Sequence, residues 1–332
     1  MNVRGFAQFL PRTRKRVILP RMNDPQASSD SSAASPGAYL AAEVATQPDD
    51  WLAAAGSVDR HRPALPQPGE RVAVVGCGTS LYMARCYAVL REQSGAGITD
   101  AWAASEARLD REYDRVLAIT RSGTTTEVLD LLSTVRGRIP TTTILADPET
   151  PAGPLSDRVV AMPTVDEQSV VQTRFATTAL ALLRASLGED LSAAAAQARE
   201  VLDLPVEDAL GGLSDVEQLT FVGRGWTVGV AEEAALKLRE SAQFWAESYP
   251  AMEYRHGPIS IATSGRATWA IGEVPEGLAD EVRATGAHFE HAERDGLAEL
   301  VRVHRLCLEV SRRRGLDPDV PRHLTRSIIL DR

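Results

Sequence analysis

The sequence predicts an α/β fold made of two similar units, each a parallel sheet flanked by helices. Short β-branched or apolar runs alternate with helical stretches along the chain. The runs end in turns rich in glycine and hydroxyl groups. The order of run, G-x-G turn and helix that begins at Val72 begins again at Gln218, with Gly223 lying 147 residues after Gly76.

Residues 1–37 read as a disordered leader and linker. The segment "MNVRGFAQFLPRTRKRVILPR" is basic, but its charges lie on the wrong side of its apolar residues for a signal peptide, and "NDPQASSDSSAASPG" has a linker composition. The first unit is expected over 38–204. Its opening helical pattern should break at Pro48, with Asp49 or Asp50 capping a second helix. Strands are expected at 72–75, 115–120, 141–146 and 158–163. Helices are expected from about Ser80 to Gln93, after "RSGTT", and through "VVQTRFATTALALLRASLG". The second unit, 205–332, repeats the scheme in "QLTFVGRGWTVGVAEEAALKLRES" and "RATWAIGEVPEGLADEVRATG".

An apolar content of 44% supplies a sizeable core, and 36 basic against 45 acidic side chains leave a net charge of −9. That balance argues against nucleic acid or a membrane surface as partner. Cys77, Cys86 and Cys307 form no CxxC pair, disulfide framework or zinc spacing, which fits a reducing cytoplasm. No apolar stretch reaches the roughly 20 residues of a membrane span.

Two turns carry the chemistry, "GCGTS" (76–80) and "TRSGTTTE" (120–127). Each follows a strand and opens a helix. There, backbone N–H groups, the helix dipole and uncharged hydroxyls converge on an anion such as phosphate. Capping and turn formation alone would also place Ser and Thr here. Two such turns at equivalent strand ends of one sheet favour a shared anion site. The first turn is neither a Walker loop nor a full dinucleotide fingerprint, since it lacks the lysine and the third glycine. Cys77 reads as a packing or lining residue. In the second unit, Trp226-Thr227 and "GEVPEG" are nearly without hydroxyls, so only the first unit is equipped for phosphate.

The stretch "EEAALKLRESAQFWAE", 232–247, reads as one helix with Ala234, Ala235, Leu238, Ala242 and Trp245 on its apolar face. Glu233, Lys237, Glu240 and Glu247 fall on the other, as in an ordinary solvated charge ladder.

Together "GCGTS", "TRSGTTTE", "GRG…EEAALKLRES", "AESYPAMEYRHGPIS" and "DVPRHLTRSIIL" resemble the sugar isomerase (SIS) domain family. The likeness is to the isomerase half of glucosamine-6-phosphate synthase and to amino-sugar phosphate isomerases and deaminases. The resemblance implies two tandem SIS domains, each a flavodoxin-like three-layer sandwich. It implies a phosphosugar held by Gly78, Thr79, Ser80, Thr120, Ser122 and Thr125. It implies that Glu240 moves a proton between C1 and C2, with Lys237 beside it, and that His256 opens the sugar ring in the site of a neighbouring subunit, hence a homodimer. The synthase-like pattern has Leu-x-Lys-Ser near its end, where this chain has Leu324-Thr325-Arg326-Ser327. Arginine cannot form the imine that the lysine forms, so Arg326 is expected to hold substrate oxygens or phosphate as a fixed cation. With about 70 residues ahead of the first strand, no glutaminase domain is expected.

The expected activity is isomerisation or deamination of an amino-sugar 6-phosphate, needing no metal or nicotinamide cofactor. Elimination of water from an N-acetylhexosamine 6-phosphate, a 2,3-dehydratase reaction, is the first alternative. A non-catalytic phosphosugar sensor is the second.

Overall fold

The computed structural model describes residues 35–330, so most of the expected leader lies outside the described residues. The chain enters through α1 (Ala38–Gly56) and the single turn α2 (Val58–His61). The first sheet and its helices follow as β1 (Val72–Gly76), α3 (Thr79–Gln93), β2 (Thr99–Ala103), β3 (Arg115–Ile119), α4 (Thr126–Val135), β4 (Thr141–Leu145), α5 (Ala152–Leu155) and β5 (Arg158–Ala161). Helices α6 (Arg174–Ser186), α7 (Ser192–Asp203) and α8 (Val206–Leu210) lead to the second sheet. It comprises β6 (Gln218–Gly223), α9 (Thr227–Ala242), β7 (Ala246–Pro250), β8 (Arg266–Ile271), α10 (Leu278–Ala284) and β9 (His288–His291), closed by α11 (Gly296–Arg313).

Both sheets are parallel throughout. Their orders are β2-β1-β3-β4-β5 and β7-β6-β8-β9, the same flavodoxin-like winding with the second sheet one strand shorter. The equivalence extends to the glycines that end β1 and β6. A Cβ on Gly76 would lie 2.6 Å from the Ser80 carbonyl carbon, and one on Gly223 would lie 2.2 Å from the Thr227 oxygen. Each following helix therefore starts directly against its strand end, which requires a residue without a side chain. Central strands β1, β3, β4 and β6 are buried along their length, as both faces of a parallel sheet demand.

Three expectations are corrected. Pro48 does not break α1, which runs through it. The ring removes one N–H and orphans the carbonyl of Val44 one turn back. The Gln47 side-chain amide donates to that carbonyl (3.4 Å), replacing the lost bond. Second, the helix expected over 232–247 ends at Ala242, where Gln243 turns left-handed (φ 49°). Glu247 then lies on edge strand β7 and Trp245 is exposed, so neither belongs to the helix faces assigned to them. Third, α9 is not a solvated ladder. It packs between α3 and α11 above β6 and β7, so Glu233 and Lys237 are buried.

Candidate active site

Nine of the ten site residues named from the sequence line one cavity of about 180 Å³. Gly78, Thr79 and Ser80 come from the β1–α3 turn, and Thr120, Ser122 and Thr125 from the β3–α4 turn. Lys237 and Glu240 come from α9, and Arg326 from the C-terminal segment. Because β1 and β3 are adjacent and parallel, both turns emerge at the same sheet edge. Gly78 has φ 54°, a conformation that admits few side chains, and it brings the chain into α3 at Thr79.

The residues of the 120–126 turn divide their work. Thr120, Ser122 and Thr125 line the cavity. Thr124, Thr126 and Arg121, which also lines the cavity, hold the C-terminal segment. Thr124 Oγ1 pairs with Ser327 Oγ (2.8 Å), the Thr126 N–H donates to the Ile328 carbonyl (3.1 Å), and Thr126 Oγ1 accepts from the Leu330 N–H (2.9 Å). Arg121 Nη2 donates to the Arg326 carbonyl (3.3 Å). Leu324, Thr325, Ser327 and Ile328 thus complete the cavity wall.

Arg326 does not direct its guanidinium only at the cavity. It forms an ion pair with Asp166 and donates to the Glu167 carbonyl. Its charge is therefore already matched, which narrows the expectation that it serves as a free cation for substrate oxygens.

The equivalent position in the second unit is a separate open cavity of about 530 Å³, lined by Arg224, Trp226, Thr227 and Glu273 and lacking the hydroxyl-rich turns of the first. Trp226 packs against Gly296, where a Cβ would come within 2.8 Å of the indole, and the Arg184 guanidinium stacks 4.8 Å from its ring centroid. Arg224 there is paired with Glu273. The cavity with the hydroxyl-lined wall belongs to the first sheet.

On α9, the Lys237 ammonium bonds the Glu240 carboxylate and lies 3.6 Å from that of Glu233. Burial alone would strip the proton from Lys237, but the two carboxylates outweigh it and hold the amine's pKa above its ordinary value. Burial pushes Glu233 up to about 8, against the pull of Lys237 and a hydrogen bond from Thr79. At neutral pH Glu233 keeps its proton, and Glu240 is the carboxylate that bonds the Lys237 ammonium. Glu240 is the one carboxylate that lines the cavity among the described residues.

From its spacing alone Glu233 reads as a helix-pairing residue. Its spacing of i, i+4 and i+7 with Lys237 and Glu240 places all three on one helix stripe, a signal that was present but looked like surface. Two further wall residues, Arg121 and Gln172, carried no sequence signal of their own. Cys77 lines the cavity with its thiol pKa raised by burial and by the charge of Glu127. His256 lies elsewhere. It is exposed, follows a 3-10 turn at Glu253–Arg255, and is not on the cavity wall. Among the described residues no side-chain bond joins Glu253 to His256; only the His256 N–H reaches the Glu253 carbonyl (2.9 Å).

No protein-family model matches the chain. Curated relatives include a glutamine–fructose-6-phosphate aminotransferase (isomerizing) of Methanothermobacter thermautotrophicus, 29% identical over 308 residues that cover 79% of this chain and 52% of the relative. Another of the same name from Sulfolobus acidocaldarius is 28% identical over 304 residues, covering 79% and 50%. The chain spans about half the length of the curated relatives it matches. Among solved structures, a glucosamine-6-phosphate deaminase of Thermotoga maritima superposes with a TM-score of 0.77 at 23% identity, covering 88% of this chain and all (100%) of that one. The C-terminal domain of glucosamine-fructose-6-phosphate aminotransferase from Francisella tularensis gives 0.75 at 20% identity, covering 89% and 100%. A tagatose-6-phosphate ketose/aldose isomerase of Escherichia coli gives 0.72 at 17%, covering 88% and 99%. This chain has the fold of those phosphosugar proteins.

Proposed function

We propose that the chain is a phosphosugar enzyme of the isomerase/deaminase type, built from two tandem SIS domains that meet near residue 205. Its substrate is an amino-sugar 6-phosphate. The observation that carries this reading is the shared cavity wall: a nest of hydroxyls and helix starts at one end and a lysine-paired carboxylate at the other.

Thr79, Ser80, Thr120, Ser122 and Thr125, with the N-termini of α3 and α4, receive the phosphate as short neutral donors. Glu240 takes the proton from C2, which the neighbouring C1 carbonyl acidifies. The C–H electron pair forms the C1–C2 double bond, and charge develops on the C1 oxygen. Lys237 stabilises that charge from within the low-dielectric helix packing. The C2 heteroatom then gives its proton to the C1 oxygen, its electron pair forms the double bond to C2, and return of the first proton to C1 completes an isomerisation. With a free amino group at C2 it leaves an imine, which water hydrolyses to a ketose phosphate and ammonia. His256 opens the ring as a contribution from a second copy of the chain, consistent with its exposed position away from its own cavity. Arg326 ties the C-terminal segment across the site.

The reading is tested with purified protein in deuterated water and a panel of aldohexose 6-phosphates, hydroxylated, aminated and N-acetylated at C2. Deuterium should enter at C1 or C2, or ammonia or water should be lost, and Glu240→Gln should abolish all of these. Binding without any exchange or product in the wild-type protein would instead make it a sensor.

A further inference from the structure

Gln172 stands apart from its surroundings because everything near it in the chain is tied down and it is not. On one side, the buried Glu43 carboxylate accepts from the Gln168 and Ser169 N–H groups (2.5 and 3.3 Å) and from the Ser169 hydroxyl. Arg121 donates to the carbonyls of Ser169 (3.1 Å) and Val170 (3.2 Å). On the other side, the buried Glu167 carboxylate accepts from the N–H groups of Thr173 (2.6 Å) and Arg174 (2.8 Å) and is ion-paired with Arg121 at 3.2 Å. The segment is thus clamped on both sides of Gln172, and the Gln172 carboxamide makes no hydrogen bond to any described residue, its Nε2 being buried without a partner. It lies on the wall of the same cavity as Glu240 and Lys237. Gln172 is half-buried, and its buried, unpartnered Nε2 donor costs about 1–3 kcal/mol unless a ligand or water completes it.

The charges around it limit what that ligand group is. Lys237 is matched by Glu240, Arg121 by Glu167 and Arg326 by Asp166. No lining carboxylate is left over among the described residues, where Glu240 is the one present. A protonated amine on the substrate would have to compete with Lys237 for Glu240 while sitting beside an ammonium. A neutral acylamino group brings a carbonyl acceptor and an N–H donor but no charge, which suits a free carboxamide. Val170 and Leu324, on the same wall, offer apolar surface for the acyl methyl.

Resting on the phosphosugar reading above, we propose that Gln172 is a specificity-determining residue that binds the C2 substituent of the sugar, and that it selects an N-acylated amino group over a free ammonium. Neutral carboxamide meets neutral amide, and the clamp from Glu43, Arg121 and Glu167 fixes the backbone on both sides of Gln172 before the substrate arrives.

The test is equilibrium binding by calorimetry, which does not depend on turnover. N-acetylglucosamine 6-phosphate and glucosamine 6-phosphate are titrated into the wild-type protein, Gln172→Ala and Gln172→Glu, with inorganic phosphate as a check that the cavity is intact. The wild type should bind the N-acetylated ester more tightly. Gln172→Ala should weaken that ester about tenfold and the amine by less than about twofold, the loss expected of one or two hydrogen bonds. Gln172→Glu supplies the missing carboxylate and should reverse the preference. Equal or stronger wild-type binding of the amine, or equal losses for both esters in the variants, overturns the proposal. The deuterium-exchange test above reads the enzyme assignment separately. Exchange with unselective binding sinks the Gln172 proposal alone, and selective binding without exchange sinks the enzyme assignment alone.

Discussion

Lys237 Nζ and Glu233 Oε1 lie 3.6 Å apart, one helical turn from each other on α9, and both side chains are 1% exposed. The ammonium's shorter contact is with Glu240 at the cavity. The pair therefore acts as a buried support for the carboxylate that lines the cavity. Replacing Lys237 by Met removes the charge-assisted partner of Glu240 and the neighbour of protonated Glu233, and should cost about 1.5–3 kcal/mol. Loss of C2-proton exchange should accompany a lower midpoint in urea. Glu233→Gln, which keeps the shape of the protonated acid, should change stability at pH 7 by less than about 1 kcal/mol. Wild-type activity should fall above about pH 8, where Glu233 ionises and draws Lys237 away from Glu240, and Glu233→Gln should remove that alkaline limb. An unchanged pH–rate profile would refute the coupling.

The division of labour in the β3–α4 turn separates two neighbouring hydroxyls. Ser122 lines the cavity, whereas Thr124 holds Ser327. Ser122→Ala should weaken binding of any sugar 6-phosphate about tenfold, the value of one charge-assisted hydrogen bond. Thr124→Val should leave phosphate affinity nearly unchanged and instead make the segment from Leu324 onward more open to limited proteolysis. Calorimetry and mass mapping of the cleavage sites read the two effects independently.

The parallel α/β character and the positions of the two hydroxyl-rich turns were legible because they rest on local signals. Val72–Val75 and the glycines at 76, 78 and 223 state strand, turn and helix start within a few residues. Edge strands β2, β7 and β9 were not singled out, because "TDAWA", "AESYP" and "HFEH" are half-exposed and lack a continuous apolar run. The helix expected to continue through Trp245 shows the same limit, since Gln243 ends it by a left-handed turn that composition does not announce. The burial of Glu233 and Lys237 was invisible for a different reason. Only the packing of α9 between α3 and α11 turns a surface-like charge ladder into an internal one. Gln172 is the extreme case: its interest lies in bonds it does not make, which no sequence pattern records.

Arg326 stands where the resemblance has an imine-forming lysine, and its partners are Asp166 and the Glu167 carbonyl. The pair is about two-fifths exposed on both sides, so its direct contribution to stability is small, under about 1 kcal/mol. Its effect should appear in catalysis through the C-terminal segment. Arg326→Ala and Asp166→Ala should raise KM by similar factors, and the double variant should be no worse than either alone. Additive losses in that cycle would mean that Arg326 acts on the substrate directly. Arg326→Lys should rescue only partly, because a single ammonium cannot serve both Asp166 and the Glu167 carbonyl with the fork geometry of a guanidinium.

A buried imidazole gives the fold a distinctive response to acid. His304 Nδ1 pairs with Gln47 Nε2 (3.1 Å), the same amide end that donates to the Val44 carbonyl, so Nδ1 is the acceptor and the neutral ring carries its proton on Nε2. Burial, reinforced by the Lys237 charge, drives the ring's pKa down to about 3. The folded protein refuses a proton that the unfolded chain accepts below about pH 6.5, so this contribution is full above 6.5 and is lost as the pH falls towards 3. Glu233 has the opposite sign. Its raised pKa lets the folded protein hold a proton that the unfolded chain releases above about 4.5, so its contribution is lost as the pH rises from about 4.5 to 8. Between about pH 4.5 and 6.5 the two slopes cancel in the wild type. His304→Gln keeps an acceptor for Gln47 but no titrating ring. It should expose the Glu233 slope, with unfolding free energy rising by up to about 1.4 kcal/mol for each unit the pH falls across that interval. Urea denaturation of wild type, His304→Gln and the His304→Gln/Glu233→Gln pair at half-unit steps measures it. A flat profile for the single variant would show that the two buried groups do not titrate against each other.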